Sequence, residues 1–172
     1  MDESLKKHGL PSMLEAALEN AGSVGQIGRV HFARVMLSKK ICYSLQDVFN
    51  NYLVPGKPGF VQHNWLSMSK TISIINNAGG VAVLAHPARY RLQEIELSAL
   101  IDDFSFFGGA AIEVASGSHS KYEIKKFQQI ANQNNLLASR GTDFHCPDES
   151  RLDVGQAPYL PDSCIPVWSS WI

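Results

Sequence analysis

Apolar residues in this chain recur at helical spacing through the first half and gather into short continuous runs in the second. Met13, Leu14, Ala17, Leu18 and Ala21 fall on one helical stripe, which Gly22 ends. Residues 31–37 read as a second short helix. Ser44 caps a third, with Leu45, Val48, Phe49, Tyr52 and Leu53 facing inward. Residues 54–59 hold two prolines and two glycines and form a connector. A further helix over 67–78 carries Met68, Ile72 and Ile75 on one face and stops at Gly79 and Gly80.

From there the pattern alternates. Residues 81–85 are continuously apolar, which fits a central strand covered on both faces. Helices near 94–107 and 119–135 then alternate with strands over 110–115 and 136–140. Such alternation implies an α/β fold with a parallel sheet and right-handed crossovers. Three strands are too few to close a barrel, so a thin open sheet with an exposed edge is expected. The division anticipated is a helical subdomain over 1–78 and a strand-bearing part over 79–172.

Composition narrows the picture a little. The formal charge is −1 over 172 residues, with Lys and Arg interspersed, so no broad basic footprint for nucleic acid is present. No run of 18 apolar residues occurs and the first residues lack a secretory core, so a cytoplasmic protein without membrane contact is expected. The three cysteines, Cys42, Cys146 and Cys164, are widely spaced and do not make a disulfide framework.

The candidate chemistry sits where strands end. Asp143 and His145 follow the apolar run 136–138, two positions apart, so both side chains can converge on one point. An oxygen and a nitrogen donor together suit a borderline divalent metal. His86 closes the strand over 81–85, and Pro87 stops it because proline donates nothing to a ladder. In α/β folds chemistry collects at such carboxyl ends. Cys146 reads as a filler beside the pair rather than a ligand. Glu113, inside an apolar strand, must pair, bind metal or take up a proton. It is read either as a partner orienting a liganding histidine or as a salt bridge to Arg29 or Arg140. Arg89 faces the site or solvent. His8 is read as solvent-facing, His63 as a loop residue without a nameable partner, and His119 as a helix cap.

A second candidate is the segment Gly25-Gln-Ile-Gly28-Arg29-Val-His31-Phe-Ala-Arg34. A glycine-flanked loop entering a helix, with Arg and His at its entrance, reads either as a receptor for an oxyanion or phosphate or as an ordinary loop.

Four segments occur in order: Gly28-Arg-Val-His-Phe-Ala33, Ala78-Gly-Gly-Val-Ala-Val-Leu-Ala-His-Pro87, Ala111-Ile-Glu-Val114 and Gly141-Thr-Asp-Phe-His145. With the tail from Leu152-Asp-Val-Gly155 to Pro166-Val-Trp168, they resemble the C-terminal part of PHP-domain metal-dependent phosphoesterases. The similar subgroup is that of nucleoside 3′,5′-bisphosphate phosphatases and 5′-3′ exoribonucleases. The resemblance implies the C-terminal portion of a distorted (β/α)7 barrel, preceded by a small helical insertion domain. It implies hydrolysis of nucleotide phosphomonoesters, with a nucleotide or short oligoribonucleotide as partner and no protein partner evident. By the same resemblance His86, Asp143 and His145 are metal ligands, while Arg29 and His31 approach the substrate phosphate and His31 is catalytic. The cofactor implied is a set of divalent ions, manganese first, with zinc, iron and magnesium as alternatives. The family's opening His-x-His strand and its further ligands have no counterpart here. The alternative expectation is therefore an inactive fragment, or half of a split enzyme, that folds marginally by itself.

Overall fold

Local capping chemistry sets where most of the helices begin. The structure is a computed structural model that describes residues 1–22, 24–62, 65–147 and 150–171. The chain divides into two compact units, Met1–Trp65 and Leu66–Ile172.

The first unit holds four helices, α1 (Asp2–Lys7), α2 (Leu14–Ala21), α3 (Arg29–Ser38) and α4 (Leu45–Val48), the last continuing as a π-helical turn over Phe49–Leu53. Helix α1 escaped the periodicity reading because Leu5 is its one buried residue. Gly22 ends α2 in the left-handed conformation (φ 72°), as expected of a C-terminal glycine. Leu14, read as inward, is 43% exposed, because the chain turns into α2 at the buried Met13. Helix α3 starts earlier than its apolar pattern suggested. The Gly28 N–H donates to His31 Nδ1 at 3.0 Å, which satisfies a backbone donor at the helix entrance. Ser44 caps α4 as expected, its Oγ accepting the Asp47 N–H at 3.1 Å. Leu5, Met13, Phe32, Met36, Val48 and Leu53 form this unit's core.

In the second unit come α5 (Met68–Asn77), β1 (Val83–Leu84), α6 (Glu94–Phe106), β2 (Ala111–Ser116), α7 (Lys121–Gln133) and β3 (Leu137–Gly141). Helix α5 belongs here rather than with the other helices, since Ile72 packs with Ala82, Ile101, Phe104, Ile112, Val114, Phe127 and Ala138. The sheet is parallel in the order β1-β2-β3. Central β2 is buried along its whole length. The expectation for 81–85 needs correction: β1 pairs over only two residues, is an edge strand, and leaves Val83 37% exposed. The expected open edge is thus on the β1 side. Beyond β3 the Ala138 N–H donates to Ile165 O at 2.8 Å, and Ala138 bridges Pro166 in parallel. No helix among the described residues is long and apolar enough to cross a membrane. Cys42 and Cys164 are buried free thiols.

Helix α7 begins at the cap Ser120. Its Oγ accepts the Glu123 N–H at 3.3 Å while the Glu123 carboxylate accepts the Ser120 N–H at 2.6 Å. The Ser120 backbone N–H, then its hydroxyl, holds the Glu123 carboxyl below the ordinary glutamate value. A depressed folded-state pKa contributes stability above the ordinary value and loses it as pH falls through the depressed one. The protection of the Glu123 and Ile124 amides, relative to their intrinsic exchange rates, is therefore expected to fall in acid below the ordinary glutamate range. Ser120→Ala should cost about 1 kcal/mol by urea melting and flatten that pH dependence.

Candidate active site

The carboxyl ends of the three parallel strands point the same way, and the candidate residues leave from them. At the end of β1, His86 takes a left-handed backbone conformation (φ 31°, ψ 55°), unusual for a residue with a side chain. The strain is held in place by a carboxylate: the His86 N–H donates to Glu113 Oε2 at 2.6 Å. Glu113 lies on β2, 9% exposed, and its role resolves the two earlier readings differently from either. It grips the backbone of His86 rather than its ring, and it is not paired with Arg140. That guanidinium lies 5.2 Å over the Tyr159 ring and reaches Pro158 O at 3.4 Å. A Cβ on Gly141 would stand 3.0 Å from Glu113 Oε1, so the missing side chain leaves room for the carboxylate between the ends of β1 and β3.

Past His86 a 3-10 turn over Pro87–Tyr90 brings two side chains back. The Tyr90 hydroxyl donates to Ala85 O at 2.6 Å. Burial, and then the negative charge of Glu113, push the Tyr90 phenol above its ordinary value. Arg89 extends across to β3's end, where Nη1 pairs with Asp143 Oδ2 at 2.5 Å. Asp143 also has a left-handed backbone (φ 57°). His145 donates from Nδ1 to Asp143 O at 2.8 Å, with that nitrogen 3.9 Å from Asp143 Oδ1. Its Nε2 is thereby left as the free ring nitrogen, the arrangement a liganding imidazole uses.

These residues border a cavity of about 310 Å³ lined by Arg89, Gly117, Ser118, Thr142, Asp143, His145, Ser150 and Arg151. Ser150 shapes the loop, its Oγ accepting the N–H groups of His145 and Cys146 at 2.7 and 3.3 Å. Gly117 is there because nothing larger fits: a Cβ would lie 2.3 Å from Thr142 O. Two guanidinium groups, hydroxyls and a carboxylate surround this one space, and guanidinium forks are groups that can hold anionic oxygens. The sequence reading missed Ser118, Ser150 and Arg151, which stand in loops with no periodic or motif signal.

The structure brings Asp143, His145 and Arg89 together. His86 stands at the end of β1, across β2 from them, its Nδ1 buried and without a partner among the described residues. The donor types suit a borderline divalent ion. Even so, no group of three or more His, Cys, Asp or Glu among the described residues is placed to hold one, and Arg89 already occupies Asp143 Oδ2. These donors alone do not enclose a metal. Arg29 and His31 lie in the other compact unit, at the start of α3. His8 is exposed as expected, its Nδ1 on Ser4 O at 2.9 Å, and His63 lies outside the described residues. The reading of His119 as a cap is corrected, because Ser120 is the cap and His119 is buried against β2.

Against known proteins, the chain is 42% identical over 168 residues to a 3′,5′-nucleoside bisphosphate phosphatase of Chromobacterium violaceum, covering 98% of this chain and 59% of the relative. It is 37% identical over 171 residues to the 5′-3′ exoribonuclease Rnm of Escherichia coli, covering 98% and 57%. The chain is homologous to these hydrolases. A solved amidohydrolase from Chromobacterium violaceum, with bound sulfate and no metal, superposes with a TM-score of 0.88 at 41% identity, covering 98% of this chain and 58% of that one. A candidate metal-dependent phosphoesterase of Bifidobacterium adolescentis shares the fold at TM-score 0.73 and 23% identity, covering 94% and 57%. No family model matches. The chain spans less than two thirds of the length of the relatives it matches, which fits the resemblance to one part of those proteins.

Two measurements check the buried carboxylate. Spectrophotometric titration should show one tyrosine ionising later than the others; Tyr90→Phe should abolish that phase and Glu113→Gln should shift it to lower pH. Glu113→Ala strands the His86 N–H, and should cost about 1–3 kcal/mol in a urea melt. An unchanged melt would mean that this hydrogen bond contributes nothing.

Proposed function

We propose that this chain forms the strand-end part of a PHP-type metal-dependent phosphoesterase barrel, hydrolysing phosphomonoesters of nucleotides. Nucleoside 3′,5′-bisphosphates and the 5′ ends of short RNA are the substrates that fit. The observation that carries this reading is the cavity at the strand ends, where Arg89 and Arg151 face Asp143 and His145 among hydroxyl groups. Its support from relatives is the 42% identity to a protein named as a bisphosphate phosphatase and the 37% identity to an exoribonuclease.

In this reading His86, Asp143 and His145 contribute donors to a divalent metal site, manganese first, that other donors complete. Arg29 and His31 serve the substrate phosphate. The Gly28 N–H occupies His31 Nδ1, so the proton of the uncharged ring lies on Nε2. That proton is the one available to a leaving alkoxide, and general-acid help of this kind is worth about 10²–10⁴-fold. Arg29 adds a bidentate guanidinium fork for the phosphoryl oxygens.

Phosphate release from adenosine 3′,5′-bisphosphate in the presence of manganese tests the activity. His31→Gln should lower kcat by about 10²-fold or more, with KM nearly unchanged. Asp143→Ala and His145→Ala should each weaken manganese binding, measured by calorimetry, by more than about tenfold. Manganese affinity that survives both substitutions intact would sink the ligand assignment.

A further inference from the structure

We propose that His119 is a positioning residue of the strand-end site: it pins the bulge in β2 from which Glu113 reaches the backbone of His86. The inference rests on the phosphoesterase reading only in taking that site as the functional one.

The pairing of β2 with β3 slips by one residue. Glu113 stands opposite Ser139 and Ala115 opposite Arg140, so Val114 is the extra residue of a bulge. Val114 is fully buried, and a buried carbonyl at a bulge needs a donor. His119 supplies one, with Nδ1 3.0 Å from Val114 O. A carbonyl only accepts, so the ring proton there sits on Nδ1. The ring stacks on Phe127 with centroids 5.3 Å apart and planes inclined 25°. Its other nitrogen, Nε2, is buried with no partner among the described residues. Stacking alone would be served better by an apolar ring, which carries no unmet nitrogen. The bond to the bulge is the feature that calls for histidine.

His119 also closes the turn after β2 by its backbone, donating N–H to Ser116 O at 3.0 Å. Within that turn the Gly117 N–H donates to Gly141 O at 2.9 Å, and Gly117 lies hard against Thr142 O. One residue therefore ties the bulge next to Glu113 and the turn that abuts Thr142 and Asp143. Bulges beside active sites re-aim side chains, and here the re-aimed side chain is the carboxylate that holds the His86 N–H at 2.6 Å.

The test reads the His86 amide in the ¹⁵N-labelled chain by NMR. A short bond to a carboxylate places that proton far downfield and slows its exchange. His119→Phe keeps the ring on Phe127 and removes the donor, while His119→Asn offers an amide donor near the position of Nδ1. In His119→Phe the His86 proton is expected to move upfield and exchange about tenfold faster, with amides of α2 and α3 unaffected. His119→Asn should restore most of both. A folded His119→Phe with the His86 amide unchanged overturns the proposal. So does equal loss in the Phe and Asn variants, which would mark a packing role. If His119→Phe does not fold, His119→Asn is compared with His119→Asp, which only accepts when ionised; a His86 amide alike in both overturns it, as does failure of both to fold. Absence of phosphatase activity once the completing donors are supplied would sink the functional reading and leave these amide signals to be judged separately.

Discussion

A single buried carboxylate organises the end of the sheet. Glu113 sits on the central strand, where a charged group survives only if its oxygens are used. One oxygen takes the His86 N–H and the other lies against the bare Cα of Gly141. The two neighbours of β2 are thus fixed relative to the same side chain. Remove it, and the left-handed turn at His86 loses the contact that offsets its strain, while a part-buried N–H loses its acceptor.

The fold was legible to the extent that it follows periodicity and capping. Ser44 and the glycines after α2 and α5 marked their helices, and the alternation after Gly80 gave a parallel sheet. What the pattern could not give was strand length. Residues 81–85 are apolar throughout, yet only Val83 and Leu84 pair, because β1 has a neighbour on one side alone. Apolar character records burial and says nothing about which strand lies at the edge.

The site was legible residue by residue and opaque in its connections. Asp143, His145 and His86 stood out because strand ends in α/β folds carry chemistry. Their contacts did not. A bulge at Val114 leaves no mark in composition, since every residue around it is small or apolar except Glu113 itself. His119 looked like a cap because it follows Ser-Gly-Ser, although the capping belongs to Ser120. Gly117 likewise reads as turn punctuation until its distance to Thr142 is known.

Floor and rim of the site differ in how firmly they are held. The Glu113–His86 bond is part-buried and backed by the β2 bulge, so altering it means rearranging a strand. The Arg89–Asp143 pair is different in kind: the arginine side chain is 56% exposed and the carboxylate 23%. Exposed pairs of this sort are worth about 0–1 kcal/mol, a cost that any ligand competing for either partner can meet. A rigid floor with an exchangeable ion pair above it suits a cavity that takes up charged ligands. Positions are set by Glu113 and the bulge behind it, while the charges of Arg89 and Asp143 are free to change partners.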